Sequence, residues 1–319
     1  MFTYEAFTNL VLKYFPILVW SKSYNYNDLA NDGLAAIIVT VMLIPQSLAY
    51  AMLAGLPPEM GLYASIIPLI LYAIFGTSKT LAVGPVAVIA LMTSASCSQL
   101  ANPGSSEYIV FAIILSLMSG IILTFMGLLK LGFIANFLSH PVISGFITAS
   151  GLIIASSQLN HILGIEGRGS NLYEILVNLA GNLININGYT LSLGVFALII
   201  LFWCKTRMRN FLLERGLKPS IADIFSRTGP VFAILLTSLA VWLLDLEIKQ
   251  VAIVGSIPEG LPSFAMPSFT FSIWRELLPA AILISLVGYV ETISVAQTLA
   301  SKRRQRIDPN QELIALGIS

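Results

Sequence analysis

Stretches of about twenty residues without a formal charge recur along this chain, and a helix needs roughly 20 apolar residues to cross a bilayer core. The stretches are Gly33 to Pro58, Gly61 to Ser78, Thr80 to Ser106, Tyr108 to Leu129, Leu131 to Ile165, Ile175 to Cys204 and Thr228 to Leu244. An eighth, Leu277 to Ser301, carries a single acid, Glu291. Composition agrees, with 56% hydrophobic and 10% charged residues, where a soluble domain carries about 25% charged. The pattern predicts an all-α membrane protein. A net charge of +1 gives no reason to expect a nucleic-acid partner. Two cysteines, Cys97 and Cys204, are too few for a disulfide framework. Lys13 and Pro16 break the first apolar stretch, and no small-residue cleavage site follows, so no cleavable signal peptide is expected.

A ninth helix is predicted from Asp308, with Asp308 as N-cap, Pro309 as first helical residue and Gln311 completing a capping box. Its apolar run stops at Ser319, which reads as a chain truncated within the span. With the N-terminus in the cytoplasm, the inner segments hold 14 of the 17 Lys and Arg residues. The outer segments hold only Arg168, Lys249 and Arg275. That split satisfies the positive-inside tendency.

Several runs resemble the SulP family of anion permeases, which includes sulfate permeases, bicarbonate transporters and prestin. They are Tyr14-Phe15-Pro16-Ile17-Leu18-Val19-Trp20, Leu43-Ile44-Pro45-Gln46-Ser47-Leu48-Ala49-Tyr50-Ala51, and Ala54-Gly55-Leu56-Pro57-Pro58. Gly61-Leu62-Tyr63-Ala64-Ser65, Gly76-Thr77-Ser78-Lys79, Val83-Gly84-Pro85-Val86-Ala87-Val88 and Asp308-Pro309-Asn310-Gln311-Glu312-Leu313 continue the match. Met60 stands where the family usually has Tyr. The resemblance implies fourteen spans in two inverted repeats of seven, usually followed by a cytoplasmic STAS domain. This chain would then supply the first repeat and the opening of the second, without a STAS domain. The expected layout is a cytoplasmic segment at 1–27, core spans 1–4 at 28–130, and gate spans 5–7 at 131–270 with a basic cytoplasmic loop at 205–227. Core span 8 and the start of span 9 follow at 271–319. A shift of 245 positions lays Gln46 on Glu291 and Ala51 on Ala296, an internal echo of the repeat. An odd number of spans between copies inverts the second, as in inverted-repeat transporters.

Three groups of residues are candidates for the chemistry. Gly84-Pro85 opens a helix expected over about 85 to 98, too short for a full crossing. A half-helix starting within the membrane points free N–H groups at an anion, here those of Val86, Ala87 and Val88. The bland alternative is an ordinary span after a tight turn. Pro45 inside a helix frees a carbonyl and marks a cavity. Gln46 beside it can donate to an anion, and Tyr50, four residues on, shares its face. The alternative is that Gln46 bonds across helices and Tyr50 packs as core. The resemblance places the anion pocket between this face and the third-span start.

Glu291 lies deep in the eighth span, where an ionised acid costs at least ~2.5 kcal/mol, so a neutral or paired carboxyl is expected. The resemblance associates an acid here with cation coupling, Asp with sodium and Glu with protons. A structural acid bonded to a backbone carbonyl is the alternative. His140 and His161 read as interfacial and not as ligands, and Lys302 to Arg306 as a lipid-facing basic run.

No P-loop, His-Glu-x-x-His or Gly-x-Ser-x-Gly occurs, so no enzyme activity, cofactor or metal is expected. The reading is a secondary active transporter in the cell membrane, a proton-coupled sulfate permease working by alternating access. Sodium-coupled bicarbonate uptake, an uncoupled exchanger or channel, and a non-transporting product remain open. The expected partners are a sulfate-like anion, H+ and the bilayer, with a homodimer possible for the full-length protein.

Overall fold

The computed structural model describes residues 11–134, 140–165, 172–253, 260 and 270–319, and every regular element among them is helical. Arg168 and residues 135–139 of the fifth apolar stretch lie outside the described residues. The chain divides into two compact units. One comprises Met1–Gly33, Ile44–Ser150 and Ile257–Ser319, the other Leu34–Leu43 and Gly151–Ser256. The units change at Leu34, Ile44, Gly151 and Ile257, where the expected layout has its boundaries at 28, 131 and 271.

In the first unit a short helical turn, Ile17–Trp20, precedes α1 (Tyr26–Leu53), of which Leu34–Leu43 belongs to the second unit. Asn25 and Asp28 form a capping box at the start of α1, several residues before the apolar window at Gly33. The second span is two helices, α2 (Pro58–Tyr63) and α3 (Ile67–Phe75). Short α4 (Ala87–Cys97) follows, then α5 (Ser106–Leu128), capped by Ser105. A helix numbered α6 (His140–Leu163) runs out of this unit into the other.

The second unit continues with α7 (Leu172–Gly181), α8 (Gly188–Trp203), α9 (Arg209–Glu214), α10 (Pro219–Arg227) and α11 (Gly229–Leu243). The sixth apolar stretch, Ile175 to Cys204, therefore holds its long helix from Gly188 onward, after the separate short α7. Asn187 ends the continuity locally: its side-chain oxygen accepts from the N–H groups of Tyr189 and Thr190 and starts a new helix at Gly188. A π-turn over Cys204–Met208 then carries α8 onward into α9. The 205–227 segment is thus helical, with Arg209 and Asp223 paired at 2.6 Å between α9 and α10.

Back in the first unit, α12 (Phe271–Arg303) and α13 (Pro309–Ile318) complete the described helices. The core lies between α5 and α12, where Ile114, Leu115, Met118, Leu277 and Ala281 are buried. Ser119 and Ser285 bond across that interface at 2.9 Å. Tyr289 and Ile293 of α12 meet Leu123 and Met126 of α5 and Leu313 of α13. Between α5 and α13 the backbones themselves touch. A Cβ added at Gly120 would lie 2.7 Å from the Gly317 carbonyl oxygen. Small residues permit this approach in a membrane helix pair, where dispersion and not water exclusion drives association. Among the described residues five helical stretches are long and apolar enough to cross a membrane, α2 with α3 and α8 with α9 each counting as one, while α4, α7 and α11 are shorter apolar helices.

Candidate anion-binding site

The site begins with an entry that is not helical. Gly76 ends α3 in an extended conformation, and residues 81–86 form no regular element. Pro85 was expected in the first helical turn. It instead precedes the N-cap, Val86, which is extended at φ −125 and ψ 136. A valine side chain has no acceptor, so no side chain caps α4. The first intrahelical bond runs from the Ala90 N–H to the Val86 carbonyl at 2.9 Å. The N–H groups of Val86, Ala87, Val88 and Ile89 are the four orphans of such an end. Ile89 is the donor the sequence reading omitted. At 11 residues α4 is about 16 Å long, shorter than the stretch expected from 85 to 98. Ala87 is buried, while Gly84, Pro85, Val86 and Val88 are half-buried.

Glu291 sits on α12, which packs against α4. A Cβ added at Gly288 would lie 3.6 Å from the Ile89 Cδ1. Residues 288 and 291 share a helix face, so Glu291 lies within one helical turn of the contact made by the first turn of α4. The Glu291 side chain is half-buried, and its Oε2 is buried without a hydrogen-bond partner among the described residues. Ser294 spends its hydroxyl on the Val290 carbonyl, 2.5 Å away, and does not turn toward the acid.

Gln46 and Tyr50 are placed differently. The packed face of α1 carries Ser47 and Ala51, with Ser47 bonded to Ser65 at 2.6 Å. Gln46 is exposed and Tyr50 half-buried on the adjoining face. No side-chain hydrogen bond described for either residue reaches α4 or Glu291. The structure therefore brings the α4 start and Glu291 together, without joining Gln46 or Tyr50 to them. Among the described residues no group of three His, Cys, Asp or Glu could hold a metal.

A second polar cluster surrounds the start of α13, where the sequence reading gave Asp308 and Gln311 capping roles and Glu312 none. Asp308 caps α13 as expected, accepting from the Asn310 and Gln311 N–H groups at 2.9 and 3.4 Å. The capping box is not completed. Gln311 instead donates its amide to the carbonyls of Phe75 at 2.8 Å and Tyr14 at 3.1 Å. Beside it, fully buried Glu312 accepts from Tyr72, Thr77 and Ser78. Tyr289 donates to the Gly132 carbonyl at 2.8 Å, and Asn310 accepts from the Gly132 N–H at 2.9 Å. The available signal was an acid in the first turns of an apolar helix, an expensive residue to leave unsatisfied.

Residues 29–319 match the sulfate permease family. A probable sulfate transporter 4.2 of Arabidopsis thaliana is 36% identical over 310 residues, covering 96% of this chain and 44% of that protein. The solved structure of SLC26A9 superposes with a TM-score of 0.80 at 28% identity, over 98% of this chain and 50% of that one. The transmembrane domain of a cyanobacterium bicarbonate transporter, BicA, shares the fold with a TM-score of 0.73 at 22% identity, over 92% of this chain and 72% of that one. The chain spans about half the length of the curated relatives it matches.

Proposed function

This chain belongs to the sulfate permease family, and from that premise we propose that it carries a small inorganic oxyanion, sulfate first, by proton-coupled secondary active transport. It is an integral membrane protein of a permease family and not of an enzyme family. The observation that carries the reading is the uncapped start of α4 packed, through Ile89 and Gly288, one turn from the unpartnered Oε2 of Glu291.

The two halves of that arrangement suit different partners. Orphan N–H groups and the helix dipole attract an anion without a fixed cation, so it can bind and then leave. An ionised carboxylate near the anion would oppose it, since like unit charges 4 Å apart repel by about 4 kcal/mol at an effective dielectric of 20 and by less with distance. A proton on Glu291 removes that repulsion, so proton and anion favour each other's binding reciprocally. This is the coupling a symporter needs, and it uses only groups on α4 and α12. Gln46 and Tyr50 belong to the proposed pocket as the α1 wall that α4 faces in one state of alternating access.

In this reading 28–130 and 271–319 carry the anion site and 131–270 forms the gate, with the seven-span segments as inverted repeats. The protein resides in the cell membrane with its N-terminus in the cytoplasm, and a homodimer is part of the proposal. The test is uptake of labelled sulfate by the complete protein in proteoliposomes, with and without an inward proton gradient. Gradient-stimulated accumulation is expected. Folded protein that accumulates no sulfate under either condition refutes the reading, and sodium-driven bicarbonate uptake is then the next assay.

A further inference from the structure

The Glu312 cluster gathers four hydrogen bonds on one buried acid. Its Oε2 accepts from the Tyr72 hydroxyl at 2.6 Å. Its Oε1 accepts from the Thr77 N–H at 2.8 Å, the Thr77 hydroxyl at 2.5 Å and the Ser78 N–H at 3.2 Å. A carboxylate offers about four acceptor sites, and here four donors reach it, three on Oε1 and one on Oε2. No cation takes part: every donor described for Glu312 is a hydroxyl or a backbone N–H.

The donors mark where the clamp acts. Thr77 and Ser78 stand at the head of the segment that leads to α4. The Thr77 hydroxyl also accepts from the Asp308 N–H at 3.3 Å, and the Ser78 hydroxyl accepts from the Leu81 N–H at 3.3 Å. Residues 81–86 then run without regular structure to Ala87. No ladder or helix holds that stretch, so its origin depends on the anchor at 77–78. At the other end α13 is seated against α5 through Gly120 and Gly317, and α5 is bonded to α12 through Ser119 and Ser285. The clamp therefore references the lead into α4 to the same framework that bears Glu291.

We infer that Glu312 is a positioning residue for the anion site: it sets where α4 begins and touches neither anion nor proton. The inference rests on the transport reading above, and it makes an unusual ordering of variants. In Glu312→Gln the amide oxygen keeps the three donors at the Oε1 position. Its NH2 group donates to the Tyr72 hydroxyl, whose own proton turns away. Glu312→Asp keeps the charge but is one methylene short and abandons part of the shell. A positioning role ranks Gln above Asp; a role for the charge itself ranks Asp above Gln.

The experiment compares wild type, E312Q, E312D and Y72F in the complete protein by two readouts. The first is amide hydrogen exchange of residues 77–90 in detergent. E312Q is expected within about threefold of wild type, and E312D faster by on the order of tenfold, the loss of one hydrogen bond to a charged group. Y72F, which also removes one hydrogen bond to that charge, is expected to match E312D. The second is the apparent KM for labelled sulfate in proteoliposomes, expected to rise about tenfold in E312D and little in E312Q. Exchange that is the same in all four proteins overturns the inference, as does uptake retained in E312D and lost in E312Q. Equal loss of uptake in E312Q and E312D, with equal loss of thermal stability, reduces the cluster to a structural bond and also overturns it. Wild type that takes up no sulfate fails the transport reading by itself, and the clamp then positions no sulfate site.

Discussion

Replacing Gly120 by alanine tests the packing that holds the site's framework together. The added Cβ would lie 2.7 Å from the Gly317 carbonyl oxygen, whereas a carbon approaches a carbonyl oxygen to about 3.3 Å. Helices α5 and α13 must therefore part by roughly 0.6 Å, and a gap of that size forfeits a quarter to a half of each contact's attraction. Overpacking of this kind costs about 1–3 kcal/mol. Alanine's higher helix propensity returns close to 1 kcal/mol. The net is a destabilisation of up to about 2 kcal/mol, or a fall of up to roughly 6 °C in melting temperature. Gly33→Ala is the matched control. It makes the same chemical change inside α1, where nothing lies within 4 Å of the new methyl, so only the propensity gain remains. Thermal unfolding of the complete protein in detergent, followed by size-exclusion recovery, reads both. Opposite signs are expected. A Gly120→Ala protein as stable as Gly33→Ala would refute the close backbone approach of α5 and α13.

Further outcomes follow from other contacts. Glu291→Gln is expected to abolish accumulation driven by a proton gradient while leaving anion exchange, and unchanged pH dependence of uptake in that variant would remove the acid from the coupling. Ala87→Leu places a larger side chain at a position 1% exposed in the first turn of α4; apparent KM for sulfate should rise by about tenfold or more, measured by initial-rate uptake. Tyr108→Phe removes the hydroxyl that donates to the Ala54 carbonyl at 2.6 Å from a fully buried ring; a loss of about 1–2 kcal/mol is expected by thermal unfolding. Arg209→Ala breaks a pair whose side chains are 50% and 44% exposed, so its effect on the same melt should be under about 1 kcal/mol.

Much of the architecture was legible because it depends on neighbours in the chain. Spans are set by the summed hydropathy of about twenty consecutive residues, and the N-cap at Asp308 by a side chain reaching the next two amides. The short third helix was visible from Gly84-Pro85, although its true start waited on Val86 adopting an extended conformation. The sixth stretch holds its long helix only from Gly188, because Asn187 caps a new helix there in a run that also carries Asn178, Asn182 and Asn185. Glu291 was conspicuous as the one acid in its span, a fact of composition that needs no fold.

What the sequence by itself determined is thus the local part: which segments enter the membrane, where several helices start, and which residues are too costly to be there without purpose. Only the tertiary structure decided which of those residues meet. Ile89 reaches Gly288 across nearly two hundred positions, and Glu312 finds Tyr72 and Thr77 at separations of 240 and 235 residues. Such partners are chosen by how helices pack, through small residues such as Gly120 and Gly317 and a core shared by α5 and α12. Pairwise packing over that distance leaves no periodic signature in the chain, because each contact satisfies one buried group and constrains nothing about its sequence neighbours.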